Sequence, residues 1–236
     1  MPATADTPDT SRSLEDPRLA VRTGVTAAVV FIALGVPYVA GVGVTFAQGG
    51  FPPAEPVSTL LHVLVMAMAL ALVPFWAAVH ATTPPGRRVF SLASLSCVTM
   101  MSVCVVLNRF IALTAVHYAA EHGGPAGLEW FLPYEWPSLT MALEVAGWGL
   151  FFGIACLLLI PAFGSSRLDR AVTLTLALSA GFCLFGVVAL MMNDFTLMSA
   201  VAPIGWGPGA VTACVLIALR MRRRHPRTAT PRRLPS

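Results

Sequence analysis

The chain has 236 residues, of which 56% are hydrophobic and 11% are charged, and its formal net charge is +4. A soluble domain carries about 25% charged residues, so this composition excludes an ordinary soluble protein. The apolar residues fall into six blocks of roughly 20 residues or more, the length needed to cross ~30 Å of hydrocarbon. Because a backbone in lipid must satisfy its own hydrogen bonds, the sequence predicts an all-α polytopic membrane protein, a bundle of six transmembrane helices.

The predicted elements divide the chain into three parts. Residues 1–19 are polar and rich in Pro, Thr and Asp, which predicts a disordered N-terminal tail. The transmembrane domain is expected over 20–221, and a basic, disordered tail over 222–236. The first span is too long for the apolar region of a cleaved signal peptide, so we expect it to be retained as an anchor. The six predicted spans cover about 20–46, 57–81, 89–119, 138–163, 171–192 and 196–221.

The basic residues are distributed unequally between the segments that connect the spans. All 15 are Arg, and 14 of them lie before or at the start of span 1, at or after the end of span 6, or between spans 2 and 3 or spans 4 and 5. The other three connections hold Glu and Asp but no Arg. By the positive-inside rule, both termini are expected in the cytoplasm, with outward loops at 47–56, 120–137 and 193–195. The Arg-rich, Ala-rich composition is typical of a high-GC bacterium, which predicts a multi-pass protein of the bacterial plasma membrane.

Much of the positive charge is concentrated at the C-terminal end. Seven Arg residues lie from Arg220 to Arg233, at the end of span 6 and in the tail. A basic cluster beside a membrane is attracted to anionic lipids on the cytoplasmic face. We therefore expect the lipid bilayer and its anionic lipids as partners, and no nucleic acid; the sequence indicates no oligomeric state.

One basic residue, Arg109, lies well inside a predicted span and not at its end. It is about seven residues from the outer end of span 3, and Glu144 is about seven residues from the outer end of span 4. At about 1.5 Å per residue, the two lie at similar depth in antiparallel helices, which predicts an ion pair. Asn108 and His62 are expected in the same layer. Ionisable groups inside a membrane are costly and functional by default; the alternative is that the pair only fixes the register of the helices.

Two spans carry Gly and Pro in patterns that predict special packing. Span 6 has Pro or Gly at five of the seven positions 203–209, which favours a departure from regular helix. Transporters use such broken helices at substrate sites, whereas the simpler alternative is a kink. We expect Trp206 to face the bundle interior and to border the pocket. In span 4, Gly149 and Gly153 form a GxxxG motif, which favours close approach of another helix.

No motif indicates a cofactor or a metal site. His117, Glu121 and His122 have the spacing H-x-x-x-E-H, which differs from the zinc motifs H-E-x-x-H and H-x-x-E-H. The chain contains no Lys, which excludes a retinal Schiff base. The sequence therefore assigns no catalytic residue.

Part of the chain resembles a known group of proteins. The stretches NRFIALTAV (Asn108–Val116) and SLTMALEVAGWGLFFGIACLLLIPAF (Ser138–Phe163), with the Arg-bearing turn that follows, are similar to an uncharacterised family of bacterial six-helix integral membrane proteins. The resemblance covers a little over a third of the chain. It implies a six-helix membrane protein without a known reaction, and it implies that Asn108, Arg109 and Glu144 belong to one pattern.

Together these features predict an outward-facing polar pocket that binds or moves a small molecule or an ion. One alternative is an intramembrane enzyme with Glu144 or His62 as acid or base, although an enzyme is the less favoured interpretation. Another is a structural or regulatory membrane protein with a lipid-binding basic tail. A cavity that reaches the ion pair from outside favours binding, and a closed, dry pair favours structure. The predicted ligand-binding residues are Arg109, Glu144, Asn108, His62 and Trp206.

Overall fold

The computed structural model describes residues 17–224. Within that range no residue lies in a β-strand, and six helices are long and apolar enough to cross a membrane. The predicted all-α bundle of six membrane helices is therefore confirmed. The helices are α1 (Pro17–Ala47), α2 (Val57–Ala81), α3 (Pro85–His122), α4 (Leu139–Ala162), α5 (Arg167–Met191) and α6 (Phe195–Arg224).

The helical domain extends beyond its predicted boundaries at both ends. α1 begins at Pro17 and α6 ends at Arg224, so residues 17–19 and 222–224 are helical and do not belong to disordered tails. Proline is favoured in the first turn of a helix, and Arg side chains in the last turn interact favourably with the helix dipole. The rest of both predicted tails lies outside the described residues.

Three helices contain a wide, π-helical turn. These turns cover Ala112–Val116 in α3, Val145–Phe151 in α4 and Gly205–Gly209 in α6. The turn in α6 confirms the predicted departure from regular helix, because Pro208 has no amide hydrogen and the neighbouring glycines add backbone freedom. The other two turns contain no Pro and were not predicted. The flanking segments are α-helical at Arg88–Ile111, His117–His122, Leu139–Glu144, Phe152–Leu159, Phe195–Ile204 and Ala210–Arg224, with 3₁₀ turns at Pro85–Arg87, Leu128–Phe131 and Ile160–Ala162.

The helices pack in chain order around an apolar core. Each helix contacts the next, and α6 returns to pack against α1, which closes the bundle. Polar atoms bridge α2, α3 and α4 within the core, since Trp76 Nε1 donates to Ser94 Oγ at 2.8 Å and Ser94 Oγ donates to the Ala155 carbonyl at 2.7 Å. The largest fully buried side chains include Phe31, Phe75, Trp76, Phe152, Leu176 and Ile217.

The GxxxG motif of α4 lies at a close helix contact, as predicted. A Cβ atom at Gly149 would lie 2.7 Å from Val187 Cγ2, and one at Gly153 would lie 3.0 Å from Leu184 Cγ. Both neighbours belong to α5. Larger side chains at these glycines would therefore push α4 away from α5.

Contacts between connecting segments define the two ends of the bundle. At one end, here called the arginine end, Arg87 in the first turn of α3 donates to the carbonyl of Phe163, the residue that directly follows α4. At the other, here called the loop end, the ring of Phe51 from the α1–α2 connection lies 5.0 Å from the ring of Tyr134 in the α3–α4 connection. The two ends correspond to the Arg-rich and Arg-free connections of the sequence.

Candidate functional site

The predicted ion pair is present in the loop-end half of the bundle. Arg109 Nη2 of α3 donates to Glu144 Oε1 of α4. Arg109 is 3% exposed, and the side chain of Glu144 is 15% exposed. Both charges are therefore removed from most of the solvent. In such a buried environment an unpaired charge is costly, whereas a paired charge is tolerated.

Asn108 binds the second oxygen of the same carboxylate. Its Nδ2 donates to Glu144 Oε2 at 2.6 Å. Two consecutive residues of α3 therefore hold both oxygens of Glu144, which fixes the orientation of the carboxylate.

His62 of α2 binds the other side of the guanidinium. Arg109 Nη1 lies 3.2 Å from His62 Nδ1. An Arg side chain has donors only, so Nδ1 must accept this hydrogen bond. A ring that accepts at Nδ1 carries its proton on Nε2 and is neutral.

Tyr134 completes the cluster and is not among the site residues predicted from the sequence. Its ring centroid lies 5.2 Å from Arg109 Cζ, which is a cation–π contact, and 5.6 Å from the centroid of the His62 ring. The residue has φ +66°, a left-handed conformation that is uncommon for a bulky side chain. Burial raises the pKa of the Tyr134 hydroxyl, although nearby Arg109 opposes that shift, so the group is protonated at neutral pH. We call Asn108, Arg109, Glu144, His62 and Tyr134 the ion-pair layer.

Two polar atoms of the ion-pair layer have no partner within the described structure. Arg109 Nε and Asn108 Oδ1 are buried and make no hydrogen bond. One is a donor and the other is an acceptor. Buried polar groups are nearly always paired. The two unpaired atoms, on consecutive residues, therefore show that the hydrogen bonding of this layer is incomplete.

Trp206 faces the bundle interior, as predicted, but its ring contact is with another tryptophan. Its ring centroid lies 5.7 Å from that of Trp148 in the π turn of α4. Trp206 therefore borders the π turn that follows Glu144, whereas the structure brings Arg109, Glu144, Asn108 and His62 into direct contact.

Within residues 17–224, no group of three or more His, Cys, Asp or Glu side chains is placed to hold a metal ion. Comparisons with protein-family models, with curated proteins and with solved structures find no match for this chain.

Proposed function

We propose that this multi-pass membrane protein binds a small polar molecule through the ion-pair layer. The observation that carries the proposal is the pair of unpartnered atoms, Arg109 Nε and Asn108 Oδ1, inside a buried charged cluster. Each unmade hydrogen bond of a buried group costs about 1–3 kcal/mol. A ligand that supplies one acceptor and one donor would form both bonds.

The charge of the layer supports a particular class of ligand. Glu144 already neutralises Arg109, and His62 and Tyr134 are uncharged. A bare ion of either sign would bring an uncompensated charge into a low dielectric. The layer therefore suits a neutral or zwitterionic molecule with an acceptor and a donor on neighbouring atoms, as in an amide or a protonated carboxylic acid.

The loop end is the proposed route of entry. Tyr134 covers the Arg109 guanidinium, and Phe51 packs against Tyr134. Both residues belong to connections and not to membrane spans, so they can move without unpacking a helix. The positive-inside rule supports an outward orientation of this end, in a bacterial plasma membrane, with both termini in the cytoplasm.

Cysteine accessibility tests whether water-soluble molecules reach the layer. Asn108→Cys and Glu144→Cys variants, reconstituted in lipid nanodiscs, are treated with a negatively charged methanethiosulfonate reagent that does not enter hydrocarbon. Phe110→Cys is the matched control, because Phe110 is two residues from Asn108 on α3, is 57% exposed, and lies on a face that we expect to contact lipid. We expect labelling at positions 108 and 144 above the wild-type background, and none at 110. Equal lack of reaction at all three positions would refute an accessible pocket.

A second measurement tests binding itself. Acetamide, glycerol and glycine, each with neighbouring donors and acceptors, are screened for an increase in the unfolding temperature of the wild-type protein. Asn108→Leu should abolish any increase because it removes the unpartnered oxygen, whereas Phe110→Leu should retain it. An increase that survives Asn108→Leu would place binding elsewhere.

One observation favours a structural role as the second candidate. Arg109 is almost fully buried, and both oxygens of Glu144 already have partners. On this interpretation the layer fixes the register of α2, α3 and α4. An unreactive layer, combined with a stable variant in which both charges are replaced by apolar residues, would support this role.

A further inference from the structure

A cavity of about 240 Å³ lies at the arginine end of the bundle, between the beginning of α5 and the end of α6. Four of its six lining residues are Arg, and none is acidic. The lining residues are Ser166, Arg167, Leu168, Arg220, Arg223 and Arg224. The cavity lies at the opposite end of the protein from the ion-pair layer.

The positive charge around the cavity exceeds the negative charge available. Asp169 is 1% exposed and pairs with two guanidinium groups, Arg220 through Nε and Arg224 through Nη2 at 3.1 Å. Within the described part of the chain, Arg167 and Arg223 form no ion pair. Four guanidinium groups therefore face one carboxylate, which leaves a net charge of +3 beside the cavity.

Arg220 is held in place before any ligand arrives. Its Nε is bound to Asp169, and its Cζ lies 4.7 Å from the centroid of the Phe163 ring. In the described structure its two Nη groups have no hydrogen-bond partner, so they remain available as donors. A fixed guanidinium with free donors binds an oxyanion at a lower entropic cost than a mobile one.

The beginning of α5 adds to the positive potential. Ser166 caps this 25-residue helix by accepting from the Asp169 amide at 3.1 Å, and its hydroxyl donates to Asp169 Oδ2 at 2.8 Å. The positive end of the α5 dipole therefore lies at the wall of the cavity. Asp169, which is buried behind the arginines, fixes them without occupying the cavity.

We propose that this cavity binds a phosphate group. Guanidinium groups match the geometry and charge of phosphate oxygens, and a charge of +3 suits a phosphate monoester or diester. The cavity lies at the ends of two membrane helices, at the level where lipid headgroups carry their phosphates. The phosphate can therefore come from an anionic phospholipid or from a soluble phosphate compound, and the chemistry of recognition is the same.

Two matched double variants test the site in the full-length protein. R167A/R223A removes two Arg residues that line the cavity, whereas R170A/R222A removes two exposed Arg residues from the same helices that do not. Both variants lose the same charge. The unfolding temperature, followed by tryptophan fluorescence in uncharged detergent, is titrated with phosphatidylglycerol, with sodium phosphate at constant ionic strength, and with oleate as an anion that lacks phosphate.

We expect phosphatidylglycerol to stabilise the wild type and R170A/R222A at the same concentration, and R167A/R223A only at concentrations about tenfold higher or more. Stabilisation by the lipid but not by sodium phosphate assigns the site to a headgroup, and the reverse assigns it to a soluble phosphate. Equal weakening in both double variants, equal stabilisation by oleate, or no stabilisation of the wild type by either phosphate source would overturn the proposal.

Discussion

Arg109 donates to His62 and to Glu144 and lies against the ring of Tyr134, so α2, α4 and the α3–α4 connection share one guanidinium. At the opposite end, a buried acid has the corresponding role, since Asp169 of α5 accepts from two arginines of α6. A charge in low dielectric is stabilised only by its partners. Each buried charge therefore ties together segments that are distant in sequence.

Replacement of the ion pair tests this dependence. Arg109→Met or Glu144→Leu alone leaves a buried charge without its partner and should lower the free energy of unfolding by about 3–5 kcal/mol. The double variant should lose less than the sum of the two single losses, with a coupling of about 1–3 kcal/mol. Denaturant titrations in detergent, followed by tryptophan fluorescence, measure all four proteins. Additive single losses would show that the two side chains are not coupled.

His62 provides a narrower test of a single hydrogen bond. His62→Ala removes the acceptor of Arg109 Nη1 and should cost about 1–3 kcal/mol of unfolding free energy, because a buried donor is left unpaired. His62→Asn retains an acceptor oxygen at a similar distance from the backbone, and it should retain a measurable part of that stability. Thermal unfolding of both variants checks the difference. Equal stability of His62→Ala and His62→Asn would mean that packing, and not the acceptor, matters at this position.

The members of the ion-pair layer differ in how far the sequence could predict their positions. Arg109 and Glu144 are both rare charges within apolar spans, and the fixed rise of a helix converts their distance from the span ends into depth. Tyr134 lies in an irregular connection, where no period relates sequence position to spatial position. Its place over Arg109 depends on the fold of the whole α3–α4 connection, so only the structure reveals it.

At the scale of the helices, the three π turns differ in origin. The turn in α6 follows from the local sequence. Pro208 cannot donate a backbone hydrogen bond, and the neighbouring glycines add backbone freedom. The turns in α3 and α4 lack Pro, so the local signal that predicted the turn in α6 is missing from their sequences. In α4 the turn begins directly after Glu144, and Gly147 within it lies against α3, where an added Cβ would be 3.3 Å from the Met101 carbonyl oxygen.

The π turn of α6 should tolerate a methyl group at one glycine but not at another. At Gly205 a Cβ would lie 2.6 Å from the Ser179 carbonyl oxygen of α5, which cannot move without its helix. Gly205→Ala should therefore cost about 1–3 kcal/mol of unfolding free energy. At Gly207 a Cβ meets nothing within 4 Å, so Gly207→Ala should be neutral or stabilise the protein by up to about 1 kcal/mol. Similar unfolding temperatures for the two variants would contradict the close contact between α6 and α5.

At the scale of the whole molecule, the bundle has the ion-pair layer, whose charges cancel, in one half and a positively charged surface at the opposite end. The distribution of Arg among the connections predicts which connections lie at each end of the bundle. This prediction requires only a count of the charges between the apolar segments. The buried partnership of Asp169 with Arg220 was not predicted, since the two residues are 51 positions apart and no helical period relates them. Apolar side chains fill the core between the two ends, as the fully buried Phe75 and Phe152 illustrate.

Orientation in the membrane decides which of the two ends meets the outside. Cysteine replacements at Glu129 and Arg167 place one exposed thiol at each end of the bundle, and the five native cysteines lie within the membrane helices α3 to α6. We expect a membrane-impermeant maleimide to label position 129 in intact bacterial cells, and to label position 167 only after the cells are permeabilised. The wild-type chain supplies the background. Labelling of 167 but not 129 in intact cells would reverse the topology, so that the loop end would face the cytoplasm and the arginine end would face the outside.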